Sequence, residues 1–207
     1  MQTNLKNRVR NLRFQRVSRL TPLFEAVSNS LHALSTTRRK SGEIRIALER
    51  ATQGELPGGI GEGLQPVDSI TITDNGEGFT PNNLHAFKEL DTGNKEQLGS
   101  KGIGRLFWLK VFDHAEVSSV YRDGDKLRRL TFIFRLPDGI ANEHESDCPP
   151  RTRIETTIKL IGLKPSFARS YRISAGDFRD AVLHHFLSFF VTQFVPQIEF
   201  LEGKRVV

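Results

Sequence analysis

Three short segments bring together residue types that could do chemistry. In Glu25-Ala26-Val27-Ser28-Asn29, Glu25 and Asn29 stand four apart. On a helix that spacing sets a carboxylate and a carboxamide on one side, an arrangement that a solvated helix edge also shows. In Asp74-Asn75-Gly76-Glu77-Gly78, an acid ends a strand-like run and two glycines follow. Glycines there let the backbone turn tightly and let a flat ligand come close. Asp74 would accept a hydrogen bond from an amine such as the exocyclic amine of adenine. An ordinary Asn-Gly turn explains the same residues. A calcium loop does not, because the spaced acids and closing glutamate are missing. In Gly99-Ser100-Lys101-Gly102-Ile103-Gly104, three glycines and a lysine precede a helix-like run. Freed backbone amides, a helix N-terminus and one cation suit phosphate oxygens. The spacing is neither that of a Walker P-loop nor that of a dinucleotide fingerprint.

These segments need elements to hold them. Leu20, Phe24, Val27, Leu31 and Leu34 recur at helical spacing, and Thr21-Pro22 opens that helix over 20–34. Ile44, Ile46 and Leu48 alternate as a strand, and Ile70 and Ile72 mark a second one running into Asp74. Residues 50–66 hold five glycines and two prolines and read as a long exposed loop. Pro81 opens a short helix through Phe87, and the polar run 88–101 has the character of a mobile lid. A helix from near Gly102 carries Leu106, Trp108 and Leu109, with Trp108 in the core behind the site. Strands are expected at 115–121, 127–135 and 152–160, with 137–151 as loop. Ser174 and Asp177 resemble a capping box for a helix carrying Phe178, Val182, Phe186 and Phe189, which Pro196 breaks. Gln197 to Leu201 looks like a strand cut off before its partner, as in a fragment of a longer protein. Without a regular βαβ alternation, the fold class expected is an α/β (α+β) two-layer sandwich, one mixed, mostly antiparallel sheet with helices on one face.

The order helix E-x-x-x-N, strand D-x-G-x-G, lid, then G-x-x-G-x-G and a helix resembles the Bergerat ATP-binding fold of the GHKL superfamily, across roughly residues 20–160. That superfamily holds gyrase B subunits, MutL mismatch-repair proteins, heat-shock chaperones of the ninety-kilodalton class, MORC proteins and sensor histidine kinases. The resemblance implies a role for each matching residue. Glu25 orients and deprotonates water. Asn29 ligates Mg²⁺. Asp74 binds adenine on a turn made by Gly76 and Gly78. Gly99, Lys101, Gly102 and Gly104 form the phosphate-binding end of the lid, and Thr152 helps to hold adenine. The chain has Arg151 where the family has glycine, and His32-Ala33 where many members have Asp-Ala. His32 is read as a surface residue outside the catalytic set. Lys95 is either near phosphate or a solvated loop lysine, and Arg105 either contacts phosphate or pairs with a nearby acid.

The activity implied is slow Mg²⁺-dependent hydrolysis of ATP at the β–γ phosphoanhydride, gating the lid and a homodimer. A nucleotide switch with negligible turnover and a DNA-associated module without ATP chemistry are the alternatives. Glu25 argues against the kinase branch, which typically lacks it. Composition narrows the rest. The 207 residues carry a net charge of +6 and suit one substantial domain. The excess charge lies in a basic arm, taken as residues 1–19, ahead of an ATP-binding domain over 20–207. Lys6, Arg8, Arg10, Arg13, Arg16 and Arg19 meet no acid before residue 25, leaving 24 bases and 24 acids in the remainder. The arm is thus a dimer strap or a DNA contact. A single cysteine, Cys148, excludes an internal disulfide and a cysteine-built zinc site. The six histidines show no metal-ligand spacing. No apolar run reaches the roughly 20 residues of a membrane span, and the start lacks an apolar signal core. A cytoplasmic location is the default expectation.

Overall fold

The computed structural model describes residues 5–13, 19–37, 41–50, 64–65, 67–89, 103–192, 195–203 and 205–207. An eight-stranded sheet, β1 Glu43–Arg50, β2 Val67–Asp74, β3 Phe112–Asp123, β4 Lys126–Arg135, β5 Gly139–Cys148, β6 Thr156–Leu163, β7 Gln197–Glu202 and β8 Arg205–Val206, forms its base. The spatial order is β5-β4-β3-β6-β2-β1-β7-β8. Every pairing is antiparallel except β1 with β7, which run parallel. The expected mixed, mostly antiparallel sheet of an α/β sandwich is therefore present.

Side-chain alternation decides which face is covered. Ile44, Ile46, Ile70, Ile72, Val117, Phe132, Phe134, Ile158 and Leu160 are all buried on one side. Arg45, Thr71, Thr73, Glu116, Thr131 and Lys159 occupy the alternate positions and are exposed or half-buried. Helices α1 Leu5–Asn11, α2 Thr21–Thr37, α3 Pro81–Lys88, α4 Leu106–Val111, α5 Ala175–His185 and α6 Leu187–Thr192 supply the second layer. The stripe Leu23, Ala26, Val27, Leu31 and Leu34 seats α2 in the core, at the spacing read from the sequence. Phe79, Phe87, Trp108, Phe132 and Phe134 form an aromatic cluster that locks α3 and α4 over β4, with Phe87 and Phe134 centroids 5.2 Å apart. No helix among the described residues is long and apolar enough to cross a membrane.

Four local expectations change. Residues 137–151 are not all loop, because β5 pairs with β4. It is an edge strand with a polar, largely exposed sequence, so no alternation marked it. The strand expected from 152 begins at Thr156, because the backbone turns after Pro149-Pro150 and Thr152 N–H bonds back to Pro149 O at 3.0 Å. The C-terminal helix breaks at Phe186 into α5 and α6. Its first half keeps the expected capping box between Ser174 and Asp177. The strand after Pro196 has partners on both sides, β1 in parallel and β8. Within the basic arm, Leu5 and Val9 are buried. Helix α1 lies against α4, where Lys110 Nζ donates to Arg10 O at 2.9 Å.

Candidate active site

Asp74 is the last residue of β2. Its parity with Ile70 and Ile72 turns it under α2 rather than outward. Only 4% of it is exposed, and its carboxylate is matched by two short bonds. Ser30 Oγ donates to Oδ2 at 2.8 Å and Gly76 N–H to Oδ1 at 2.9 Å. Burial nevertheless dominates those bonds and raises the carboxyl to about 6. A carboxylate kept at that cost is suited to receive a donor from a ligand.

The turn after Asp74 is shaped by close approach. A Cβ on Gly76 would lie 2.7 Å from the Ala33 side chain, so α2 rests directly on the turn. Gly78 has φ +84° and would place a Cβ 2.8 Å from Ser119 Oγ and 2.9 Å from Val120 O. Both conditions call for glycine. Asn75 is turn chemistry. It accepts from Glu43 N–H at 2.8 Å and donates to Ser41 O at 3.1 Å, tying the turn to β1. Asn83 of α3 bonds Glu77 and Gly78 O, each at 2.9 Å, and closes the far side.

Thr152 is not brought to Asp74. It follows a turn, and its hydroxyl donates to Pro149 O at 2.8 Å. Thr156 stands directly opposite Asp74 in the β2–β6 register. It is buried, and its hydroxyl lies 2.8 Å from Ser119 Oγ, which accepts from Phe79 N–H at 2.9 Å. Thr156, Ser119 and Ser30 are the polar residues that sequence reasoning missed. The available signal was a hydroxyl at an inward-facing position in an otherwise apolar pattern, as in Thr156-Thr157-Ile158-Lys159-Leu160 or at position 30 within the α2 stripe.

At the other end, α2 meets the segment that opens α4. Trp108 Nε1 donates to Pro22 O at 3.1 Å and pins the two helices together. Gly104 then faces Glu25 so closely that a Cβ there would fall 1.9 Å from Cδ of the glutamate. Glu25 is half-buried, and burial raises its carboxyl while the neighbouring Arg105 lowers it. Arg105 itself is 7% exposed. Asn29 and His32 continue along the exposed edge of α2. Gly99, Lys101, Gly102 and the lid lysine Lys95 lie outside the described residues. Glu25 and Gly104 thus mark one end of the candidate site, and Asp74, Gly76, Gly78 and Thr156 the other, with Asn29 on the stretch of α2 between Glu25 and Ser30.

No group of three or more His, Cys, Asp or Glu that could hold a metal occurs among the described residues. The donor set fits an ion bound mainly elsewhere. Mg²⁺ keeps several waters and takes phosphate oxygens with few protein ligands, and the solvent-facing Asn29 carboxamide offers one oxygen.

Comparison with curated proteins finds no match. Among solved structures, the fold is similar to the N-terminal domain of a DNA repair protein, with a TM-score of 0.55 and 14% identity over 98% of this chain and 54% of that one. It is also similar to the Aquifex aeolicus MutL ATPase domain complexed with ADP, with a TM-score of 0.50 and 14% identity over 89% of this chain and 60% of that one. The chain therefore spans little more than half the length of these relatives. Residues 18–155 match the family model for the histidine kinase-, DNA gyrase B- and HSP90-like ATPases. That span includes the Glu25 helix, the Asp74 turn and the Gly104 segment, and the chain belongs to this ATPase family.

Proposed function

We propose that this chain binds ATP between α2 and the Asp74 turn and hydrolyses it slowly at the β–γ bond. The observation that carries this is the seating of the Glu25 carboxylate against Gly104, on the helix whose Ser30 holds Asp74. One rigid element thereby positions both ends of a nucleotide. Asp74 accepts the adenine amine, with Thr156 and Ser119 beside it. Gly76 and Gly78 let the base lie close to the backbone. Gly104, with Gly99, Lys101 and Gly102 from the same motif, receives the phosphates. Glu25 aligns a water for in-line attack on the γ-phosphorus and takes its proton as the bond to the β–γ bridging oxygen breaks, leaving ADP and phosphate. Mg²⁺, with Asn29 as its protein ligand, supplies charge neutralisation at the phosphates when bound.

The same chemistry supports a switch in which ATP orders the lid and favours a homodimer, with hydrolysis as the reset. Replacing Glu25 by Ala separates catalysis from binding. The expected result is multiple-turnover hydrolysis reduced about a hundredfold, with ATP affinity by calorimetry changed less than about threefold. Unchanged turnover removes Glu25 from the mechanism. Absent turnover in the wild type, with ATP still bound, leaves the nucleotide switch.

A DNA contact is favoured by one further observation. Lys6, Arg10 and Arg13 are all exposed, at spacings of four and three, while Leu5 and Val9 face the core. Helix α1, with Arg13 just after it, therefore presents basic side chains outward, suited to a phosphate backbone.

A further inference from the structure

Arg105 is the N-cap residue of α4, yet its side chain makes no capping bond to that helix. It reaches back to α3 instead. Nη2 donates at 2.9 Å to the carbonyl of Glu89, the C-cap residue of α3. The guanidinium lies 4.7 Å from the ring centroid of Phe87, in the last turn of the same helix. Only 7% of Arg105 is exposed. These surroundings suit a buried cation. Carbonyls at the C-terminal end of a helix carry partial negative charge, and an aromatic face attracts a guanidinium. The Glu89 carboxylate is exposed and lies 3.8 Å from His85 Nδ1, so the guanidinium meets the backbone carbonyl of Glu89 and not its side chain. Arg105 Nε has no hydrogen-bond partner among the described residues, which leaves the Nη2 bond as the tether to α3.

That bond joins residues 16 apart in sequence. The glycine motif over 99–104 falls within the interval, and Gly104 is its last residue before Arg105. One side chain therefore links the two flanks of the motif, the end of α3 and the start of α4. The same flanks are tied to α2. Phe87 packs on Trp108 with centroids 6.1 Å apart, and Trp108 Nε1 donates to Pro22 O at 3.1 Å. Gly104 lies so close to Glu25 that a Cβ there would fall 1.9 Å from Cδ of the glutamate. The seat of the glutamate thus depends on where the backbone just before Arg105 runs.

We propose that Arg105 is a positioning residue for the hydrolytic site: by clasping the C-cap carbonyl of α3 from the N-cap of α4, it keeps Gly104 seated against Glu25. The proposal rests on the hydrolytic reading of Glu25. Arg105 touches no reacting atom in this role and acts through the backbone it anchors. A misplacement of about 1 Å, originating away from the chemistry, can slow a reaction about a hundredfold, so the clasp bears on rate more than on binding.

The test compares Arg105→Met, which keeps an apolar stem but removes charge and donors, with Arg105→Lys, which keeps a cation able to donate to Glu89 O. Amide hydrogen exchange is followed by NMR in the full, nucleotide-free chain. The amides of Leu106 and Phe107, bonded to Ile103 O and Gly104 O at 2.9 Å each, report on the start of α4. They should exchange about tenfold faster in Arg105→Met, with the amides of β2 unchanged. With ATP, kcat should fall about tenfold in Arg105→Met while KM changes less than about threefold. Arg105→Lys should recover most of both effects. Wild-type exchange at Leu106 and Phe107 in Arg105→Met overturns the proposal. So does faster exchange shared equally by β2, which marks general destabilisation, and so does an unchanged kcat or a lysine variant as impaired as the methionine one. If Arg105→Met does not fold, the wild type decides through ¹⁵N NMR of the Arg105 guanidinium, assigned by its loss in Arg105→Lys. Separate, slowly exchanging Nη hydrogens support the clasp, and an averaged signal overturns it. A wild type without turnover sinks the hydrolytic reading instead, and the exchange of Leu106 and Phe107 then still judges the clasp.

Discussion

At residue scale, Asp74 sets function against stability. Its carboxyl ionises near 3.8 in an unfolded chain and at about 6 in the fold. Because the folded value is raised, the folded form keeps its proton where the unfolded chain has lost it. The cost of the charge is therefore absent below about pH 4, grows between 4 and 6, and is fully present above that. From the size of the shift, it reaches at most about 3 kcal/mol. Asp74→Asn keeps an oxygen for Gly76 N–H and removes this cost. Its stability relative to wild type, from urea denaturation, should rise as pH is raised from 4 to 7, and its ATP binding should be lost. A flat difference across that range means Asp74 is not buried as a charge. The wild type should bind ATP less tightly as pH falls through 6. The residue types at positions 25, 29, 74, 76, 78 and 104 were legible because few chemistries use that combination in that order. Thr156 was not, because two threonine-containing runs, Arg151-Thr152-Arg153 and Thr156-Thr157-Ile158, compete in one dimension. Only the register with Asp74 separates them.

At the scale of elements, the α2–α4 contact is the critical one. The Trp108 bond to Pro22 O holds the helices so close that Gly104 has no room for a side chain against Glu25. Gly104→Ala should push the glutamate from its seat. Turnover should fall at least tenfold, with a smaller change in the affinity for a non-hydrolysable ATP analogue. Equal decreases in both would show that Gly104 serves binding alone. Helix α2, the strands β1 and β2 and the helix α3 stand close to their sequence signals, because one face of each is apolar at the right period. Edge strand β5 and the break at Phe186 carry no such signal. The edge strand is polar on both faces, and the break interrupts an apolar stripe that continues on either side.

At the scale of the whole molecule, the net charge of +6 takes on a definite geometry. Part of the basic arm is the docked helix α1, with Leu5 and Val9 turned inward and Lys6 and Arg10 exposed, and Arg13 exposed just beyond it. Deleting residues 1–18 would strip Leu5 and Val9 from the core, at about 1.5–3 kcal/mol for each fully buried side chain. Such a deletion would confound binding with stability. Replacing Lys6, Arg10 and Arg13 by Gln leaves the apolar face intact. DNA retention at low salt should weaken, and the slope of log affinity against log salt should shrink by about one for each DNA phosphate left without its cation. Unaltered DNA binding with a normal melting temperature would leave α1 a structural role, and ATP-dependent dimerisation is measured on the same variant.

The sequence alone determined the ATPase resemblance, the sandwich and most of the candidate site residues. Those follow from local periodicity and from short motifs whose chemistry is carried within a few residues. Tertiary structure decided which threonine faces Asp74, which serine holds it, that α1 docks on α4 and that Gly104 lies against Glu25. Each of these depends on strands and helices distant in sequence meeting in one register, where burial and close approach act on charges that no linear pattern brings together.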